Sequence, residues 1–182
     1  MNAFATCWIG LTMLLFPGPK QERVTIENLV TAQPVPEGYD VTPNELKEGD
    51  ELLGRQLLIT KEGAVSKVSV TAETRDLPEK DYKLAALKGY VNGTTKTLSE
   101  AGLKLVKKQI PDVEKLNVNK RTKCSFVYER PDGSEIYVQM QIFFTNHGHS
   151  VLVIADNKDD YKSLTKWADT IEPIKEAASK KK

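Results

Sequence analysis

The sequence predicts an α+β fold whose sheet is antiparallel, and two patterns lead to this prediction. The first is the order of elements along the chain: a strand-rich part, a central helix, a second strand-rich part and a closing helix. The second is the segment 124–156, which contains three strand-like runs joined by two tight connections. Such a meander is antiparallel, so we expect an antiparallel sheet with helices packed against it.

Length and composition are those of a single globular domain. The chain has 182 residues, of which 40% are hydrophobic and 28% charged, and this is enough to bury a core of ordinary size. The 26 Lys and Arg residues nearly balance the 25 Asp and Glu residues. Because no overall field attracts nucleic acid or an anionic membrane, we expect no nucleic-acid partner and a partner chosen by local surfaces.

The first 19 residues, MNAFATCWIGLTMLLFPGP, contain no charged side chain. Their apolar run is shorter than the roughly 20 residues of a membrane helix and suits a secretory signal. We therefore expect a signal peptide at 1–19, a linker at 20–34, and a protein exported to the periplasm or secreted. The alternative is an uncleaved membrane anchor or a buried helix, because the segment lacks basic residues and a prompt A-x-A site.

Strands are predicted on either side of a turn in the first half. The segment VPEGYDV leads into an extended Tyr39–Val41. The β-branched runs Gln56–Thr60 and Val65–Ala72 then predict a hairpin, with its turn at Lys61–Gly63.

The central helix is expected to begin near Asp76, which can cap it, and to end at Gly102. Pro78 and Glu79 suit its first turn. Its predicted core-facing stripe consists of Leu84, Leu87, Val91, Thr94 and Leu98. Gly89 and Gly93 lower its intrinsic stability, so the helix depends on packing or bends.

The second half predicts a strand at Leu103–Ile110 and then the meander, with turns at Pro131–Gly133 and Asn146–Gly148. Alternation places one set of side chains in the core: Val138, Met140, Ile142 and Phe144. The other set predicts a mixed aromatic and amide surface for solvent or a partner: Tyr137, Gln139, Gln141 and Phe143.

A last helix should be capped by Asp159 or Asp160 and end at Pro173, before a Lys-rich disordered tail at 175–182. Its expected apolar face is Tyr161, Leu164, Trp167, Ala168 and Ile171. Together with Asp156, the two aspartates could suggest calcium. The segment around them lacks the glycine and the distal glutamate of an EF-hand loop, so helix capping is the simpler interpretation.

The order of these elements resembles the PsbP-like superfamily, which includes an extrinsic subunit of photosystem II and bacterial DcrB-like exported proteins. The resemblance covers 35–174 and depends on the segments VPEGYDV, FVYERPDGSEIYVQMQIFF, HSVLVIAD and DYKSLTKWADTIEPI. It implies an α-β-α sandwich and a non-enzymatic role. It supplies no functional residue, and Asn119–Arg121 stand where family members often carry a glycine.

Candidate chemistry is limited to His147 and His149, the only two histidines, and to Cys124. The histidines flank Gly148, where we expect the chain to reverse, so they should be exposed at a hairpin tip. Cys124 lies in an alternating run typical of a buried, inert thiol. We predict no catalytic, cofactor-binding or metal-binding residue, because no phosphate loop, nucleophile motif or zinc motif is present.

Three functions are consistent with this sequence. The favoured one is an exported, non-enzymatic accessory domain that binds a protein partner of unknown identity. The second is a small-ligand or metal-binding module that uses the His147/His149 hairpin, although transition metals want three or four ligands. The third is an enzyme with an unrecognised site.

Overall fold

The computed structural model describes residues 25–26, 29–31, 33–76, 80–111 and 120–173. The predictions for 1–19, for Pro78 and Glu79, and for the tail at 175–182 lie outside these ranges, as does most of the 20–34 linker. The strands are β1 (Thr25–Ile26), β2 (Leu29–Thr31), β3 (Asp40–Glu48), β4 (Glu51–Thr60), β5 (Lys67–Asp76), β6 (Lys104–Gln109), β7 (Thr122–Glu129), β8 (Glu135–Phe144), β9 (His147–Ala155) and β10 (Ile171–Pro173). The helices are α1 (Lys80–Glu100) and α2 (Lys158–Ala168).

Seven strands form one antiparallel sheet in the order β3-β4-β5-β9-β8-β7-β6. The meander β7-β8-β9 is continuous in register, and β5 joins its free edge, so that the early hairpin and the late meander share one sheet. The three short strands β1, β2 and β10 form a second, small sheet. The predicted α+β class and the antiparallel pairing are both confirmed.

One helix lies on each face of the large sheet, and each face has its own apolar core. The face under α2 buries Leu57, Ile59, Val68, Val70, Val151, Val153, Leu164 and Trp167, with Ile26 from β1 and Ile171 from β10. The face under α1 buries Leu87, Val91, Leu98, Phe126, Tyr128, Val138, Met140 and Ile142. Strands such as β8 and β9 are therefore buried on both sides.

The helix α1 follows its prediction in the middle and departs from it at its start. Leu87, Val91 and Leu98 are buried against the sheet, and Gly102 follows the helix with φ of 81°, as a C-terminal stop requires. The described helix begins at Lys80, and Asp76, the predicted cap, lies four residues before it. Asp76 is the last residue of β5 and pairs with His147 across the ladder, so its backbone already belongs to the sheet.

The helix α2 is capped by Asn157, and the prediction of Asp159 or Asp160 as the cap is wrong. The Asn157 side-chain oxygen accepts hydrogen bonds from the backbone N–H groups of Asp159 and Asp160, at 3.1 and 2.8 Å. The two aspartates occupy the first turn, where their charge favours the positive end of the helix dipole. Asn157 takes the cap because the helix begins at Lys158, earlier than predicted.

The predicted amide and aromatic surface of β8 is wrong for Gln141 and Phe143. Both are buried, because α2 and β10 cover this end of the strand. The buried amide of Gln141 is satisfied by Arg121, whose Nη1 donates to Oε1 at 2.9 Å, and by Asp169, which accepts from Nε2 at 2.6 Å. The other two members, Tyr137 and Gln139, are half-buried.

Candidate functional site

The histidine hairpin does not have the form that the sequence predicted. Phe144 pairs with Gly148, so Gly148 already lies within β9 and the exposed tip is Asn146. His149 is completely buried, at 0% exposure, and the prediction that both histidines are exposed is therefore wrong for it. The reversal occurs earlier than expected because His147 is already the first residue of the strand.

The environment of His149 is that of a packed core histidine. Its Nε2 lies 2.9 Å from the Thr145 hydroxyl oxygen, and its ring contacts the Phe143 ring at a centroid distance of 5.2 Å. Burial, and then the nearby His147, lower the pKa of His149 to about 4. Within the described ranges, no group of three or more His, Cys, Asp and Glu side chains could hold a metal ion. The contacts of His149 are those of a core side chain.

Gly148 is required for close approach rather than for a turn. Its φ lies outside the left-handed region. A Cβ atom added there would lie 2.7 Å from the Tyr90 hydroxyl oxygen and 2.9 Å from Oε2 of Glu73. The absence of a side chain at 148 thus allows a residue of α1 and a residue of β5 to meet above β9.

These two residues belong to a cleft that opens between α1 and the sheet, which we call the α1 cleft. It has a volume of about 1000 Å³ and is open to solvent on one side. Its sheet wall consists of Gln56 and Leu58 from β4, Lys67, Ser69 and Glu73 from β5, and Leu152 and Ile154 from β9. Its helix wall consists of Ala85, Ala86, Gly89, Tyr90, Gly93, Thr94, Thr97, Leu98 and Ala101.

The cleft exists because the two flanks of α1 carry side chains of different size. The flank with Leu87, Val91 and Leu98 packs against β7 and β8. The flank toward β4 and β5 carries mostly Ala, Gly and Thr, which are too short to reach the sheet. At Gly89 and Gly93 an added Cβ would meet no atom within 4 Å, so the space beside these glycines is open.

The polar groups on the sheet side of the cleft lie at distinct places. In the middle, the Gln56 amide donates to the Ser69 hydroxyl at 2.9 Å, so these two groups satisfy each other. At the end near Gly148, the buried Tyr90 hydroxyl lies beside the Glu73 carboxylate, in a contact whose geometry falls short of a full hydrogen bond. Burial, and then this carboxylate, raise the pKa of Tyr90, so the group remains a neutral hydroxyl.

Some residues that line the cleft are conspicuous in the sequence for another reason, and others carry no signal. In the sequence, Gly89 and Gly93 predict a helix of low intrinsic stability, whereas in the structure they form part of the wall of the cleft. Glu73 and Tyr90 carry no recognisable motif. The available signal was the three- and four-residue spacing of small residues beside the leucine stripe: Ala86, Gly89, Gly93, Thr97 and Ala101.

Cys124 does not take part in the site. It is buried in the core under α1, at 1% exposure, and burial raises the pKa of its thiol to about 11. A thiol of this pKa is almost entirely protonated at neutral pH, and the thiolate is the reactive form. The prediction of a buried cysteine is confirmed.

A scan against protein-family models and a search of the curated proteins each found no match. The likeness to the PsbP-like superfamily therefore stays a prediction. In the part of the chain that the structure describes, neither helix combines the length and the apolar character needed to cross a membrane.

Proposed function

We propose that this chain is an exported, non-enzymatic accessory domain of the PsbP-like type that acts by binding, and that the α1 cleft is its ligand site. The observation that carries the proposal is the cleft itself. A volume of about 1000 Å³ is at the upper end of the range for small-molecule sites, and the surface of the cleft is mainly apolar. Export is supported by the apolar run at 3–16, which suits a secretory signal.

The cleft is a better candidate than the histidine hairpin. The alternative prediction places small-ligand or metal binding at His147 and His149, but His149 is buried and contacts Phe143 and Thr145. The α1 cleft lies on the opposite face of the sheet and opens to solvent. An enzymatic role has no specific arrangement in its favour among the described residues.

Binding of a neutral apolar dye such as Nile red to the purified chain tests the proposal. We expect saturable binding to the wild-type chain, and a dissociation constant about tenfold higher in Gly93→Phe. The Cβ atom added at this position meets no atom within 4 Å, and Gly93 lines the cleft, so we expect the phenylalanine ring to occupy the cleft. The phenylalanine also replaces a helical glycine, so the folded state should be kept.

Two variants control for changes that do not fill the cleft. Gly93→Ala adds only a methyl group at the same site and should retain most of the affinity. Asn92→Phe adds the same ring at the neighbouring exposed position, which does not line the cleft. Equal dye affinity in Gly93→Phe and Asn92→Phe would count against the α1 cleft as the binding site.

Protein binding remains a second candidate because of the edge strand β6. Its bulge leaves Val106 without a register partner on β7, and this side chain is 54% exposed, next to Leu105 at 39%. Lys104, Lys107 and Lys108 surround these two residues. Lysines and bulges protect an edge from added strands, so a partner would contact the side chains rather than extend the sheet.

Affinity capture from the exported fraction tests this second candidate. A stoichiometric partner that is retained by the wild-type chain and lost with Val106→Asp would support it. Val65→Asp is the matched control, because Val65 has a similar exposure of 45% and lies in the β4–β5 turn. Loss of the partner in both variants would show that the β6 surface is not specific.

A further inference from the structure

The two ends of the α1 cleft differ in charge and in accessibility. Glu73 and Lys67 both line it on β5, six residues apart, which corresponds to roughly 20 Å along a strand. Glu73 is half-buried beside the Tyr90 side chain, whereas Lys67 is exposed. Leu58 and Leu152 lie between them, on either side of Ser69, and Ile154 lies beside Lys67 on the neighbouring strand. These three side chains form an apolar floor.

We propose that the α1 cleft binds a small amphiphile with a primary ammonium head group, which is held between Glu73 and Tyr90 while the apolar tail lies along the floor toward Lys67. This inference rests on the proposed function, that is, on the cleft as a ligand site. The carboxylate supplies the opposite charge and the Tyr90 oxygen supplies a second acceptor for an N–H donor.

The geometry of the Glu73 end favours a cation over an anion. Among the side chains that the structure describes, no Lys or Arg forms an ion pair with Glu73. The Tyr90 hydroxyl is buried without an aligned hydrogen bond, so its oxygen keeps an acceptor position for an N–H donor. Lys67 attracts anions less strongly, because an exposed ammonium is well hydrated and screened by salt.

The apolar part of the ligand is selected by the floor and the helix wall. Leu152 and Ile154 are half-buried on β9, and the opposing Gly89 and Gly93 leave room for an alkyl chain. Burial of each methylene group contributes about 0.8 kcal/mol. On the sheet wall of this middle part, the polar side chains Gln56 and Ser69 already bind each other, so an apolar chain does not break a bond to either of them.

Competition against bound Nile red with three ligands of equal chain length tests the head-group preference. We expect n-decylammonium to compete about tenfold more strongly than n-decanol, and n-decanoate to compete less strongly than n-decanol. In Glu73→Gln the ammonium should fall to the affinity of the alcohol, while the alcohol itself is unchanged. Glu62→Gln, which changes an exposed acid in a turn outside the cleft, should behave as the wild type.

Raising the salt concentration provides a second measurement that needs no variant. The advantage of the ammonium over the alcohol should shrink as the Debye length falls from about 10 Å at 0.1 M to about 3 Å at 1 M. Equal competition by the ammonium and the alcohol, or an advantage that survives Glu73→Gln, overturns the inference about the head group. The cleft itself is tested separately by the dye, because an affinity in Gly93→Phe no weaker than that in Asn92→Phe contradicts the proposed function whatever the head group.

Discussion

A single methyl group at Gly148 should disturb the Glu73 end of the α1 cleft. In Gly148→Ala the new Cβ would lie 2.7 Å from the Tyr90 hydroxyl oxygen and 2.9 Å from Oε2 of Glu73. Ordinary contacts of a Cβ atom begin near 3.4 Å. The hydroxyl must therefore retreat by about 0.7 Å, and since Tyr90 is anchored on α1, the helix or the ring has to move.

The expected destabilisation is about 1 to 3 kcal/mol, which is typical of adding one methyl group to a filled space. A second effect acts in the opposite direction. Ala loses less backbone freedom than Gly on folding, and this stabilises the folded state by about 0.5–1 kcal/mol. The steric effect should win in the wild-type background. In Tyr90→Phe the hydroxyl is absent and the remaining close contact is with the end of the flexible Glu73 side chain, which can move away, so the same Gly148→Ala substitution should cost much less.

Urea unfolding of the four chains of this double-mutant cycle measures the coupling between the two positions. We expect a coupling energy of at least about 1 kcal/mol, larger than the usual deviation from additivity. Gly54→Ala is the contrasting control, because its Cβ would lie 2.6 Å from the Ala72 carbonyl oxygen, a backbone atom that Tyr90→Phe cannot relieve. The reasoning is refuted by an equal cost of Gly148→Ala in both backgrounds.

Three further predictions concern the α2 face. The pKa of His149 lies at about 4 in the folded state and at 6.5 when unperturbed, so stability should be complete above pH 6.5 and fall between pH 6.5 and 4 as the unfolded state takes up the proton. At about 1.4 kcal/mol per pH unit, the free energy of unfolding should fall by about 3 kcal/mol over this range. An equally steep pH dependence of stability in His149→Gln would contradict the assignment of this loss to His149. Arg121→Lys should cost about 2–3 kcal/mol in urea unfolding, because the guanidinium binds Gln141, the carbonyl oxygen of Ala168 at the end of α2 and that of Ile171 on β10. A cost below about 1 kcal/mol would exclude this role. Asn157→Ala should lower stability by about 1 kcal/mol through loss of the α2 cap, and an unchanged unfolding midpoint would disprove the assignment.

Strand and turn positions could be predicted where local chemistry determines them. The turn at Pro131–Gly133 was expected from its glycine, and Gly133 indeed has φ of 82°. Likewise, the alternation in β8 correctly placed Val138, Met140 and Ile142 in a core. These predictions succeed because turn geometry and side-chain alternation depend on residues close in sequence.

Features that depend on distant partners could not be predicted in the same way. The sequence assigns His149 to an exposed tip, and only α2 and β10, which cover that face, make it a core residue. Gly148 has the composition of a turn residue, yet its role comes from Tyr90 on α1 and Glu73 on β5. A local pattern does not record which side chain approaches from another element.

The α1 cleft combines both kinds of feature. The spacing of Gly89, Gly93 and other small residues on one flank of α1 is visible in the sequence. That this flank faces β4 and β5 follows from the insertion of β9 between β5 and β8, which is a pairing of segments far apart in the chain. The cleft could be located only after that topology was known.

The most direct test of the central claim is a methyl-resolved NMR titration of the chain with n-decylammonium. We predict saturable shifts at the methyl groups of Leu58, Leu152 and Ile154, which form the floor of the α1 cleft. Val68 and Val153, which lie in the core on the opposite face of the same strands, serve as internal references and should not shift. Shifts at the reference methyls without shifts at the floor, or no saturable shift at the floor, would contradict the assignment of the α1 cleft as the ligand site.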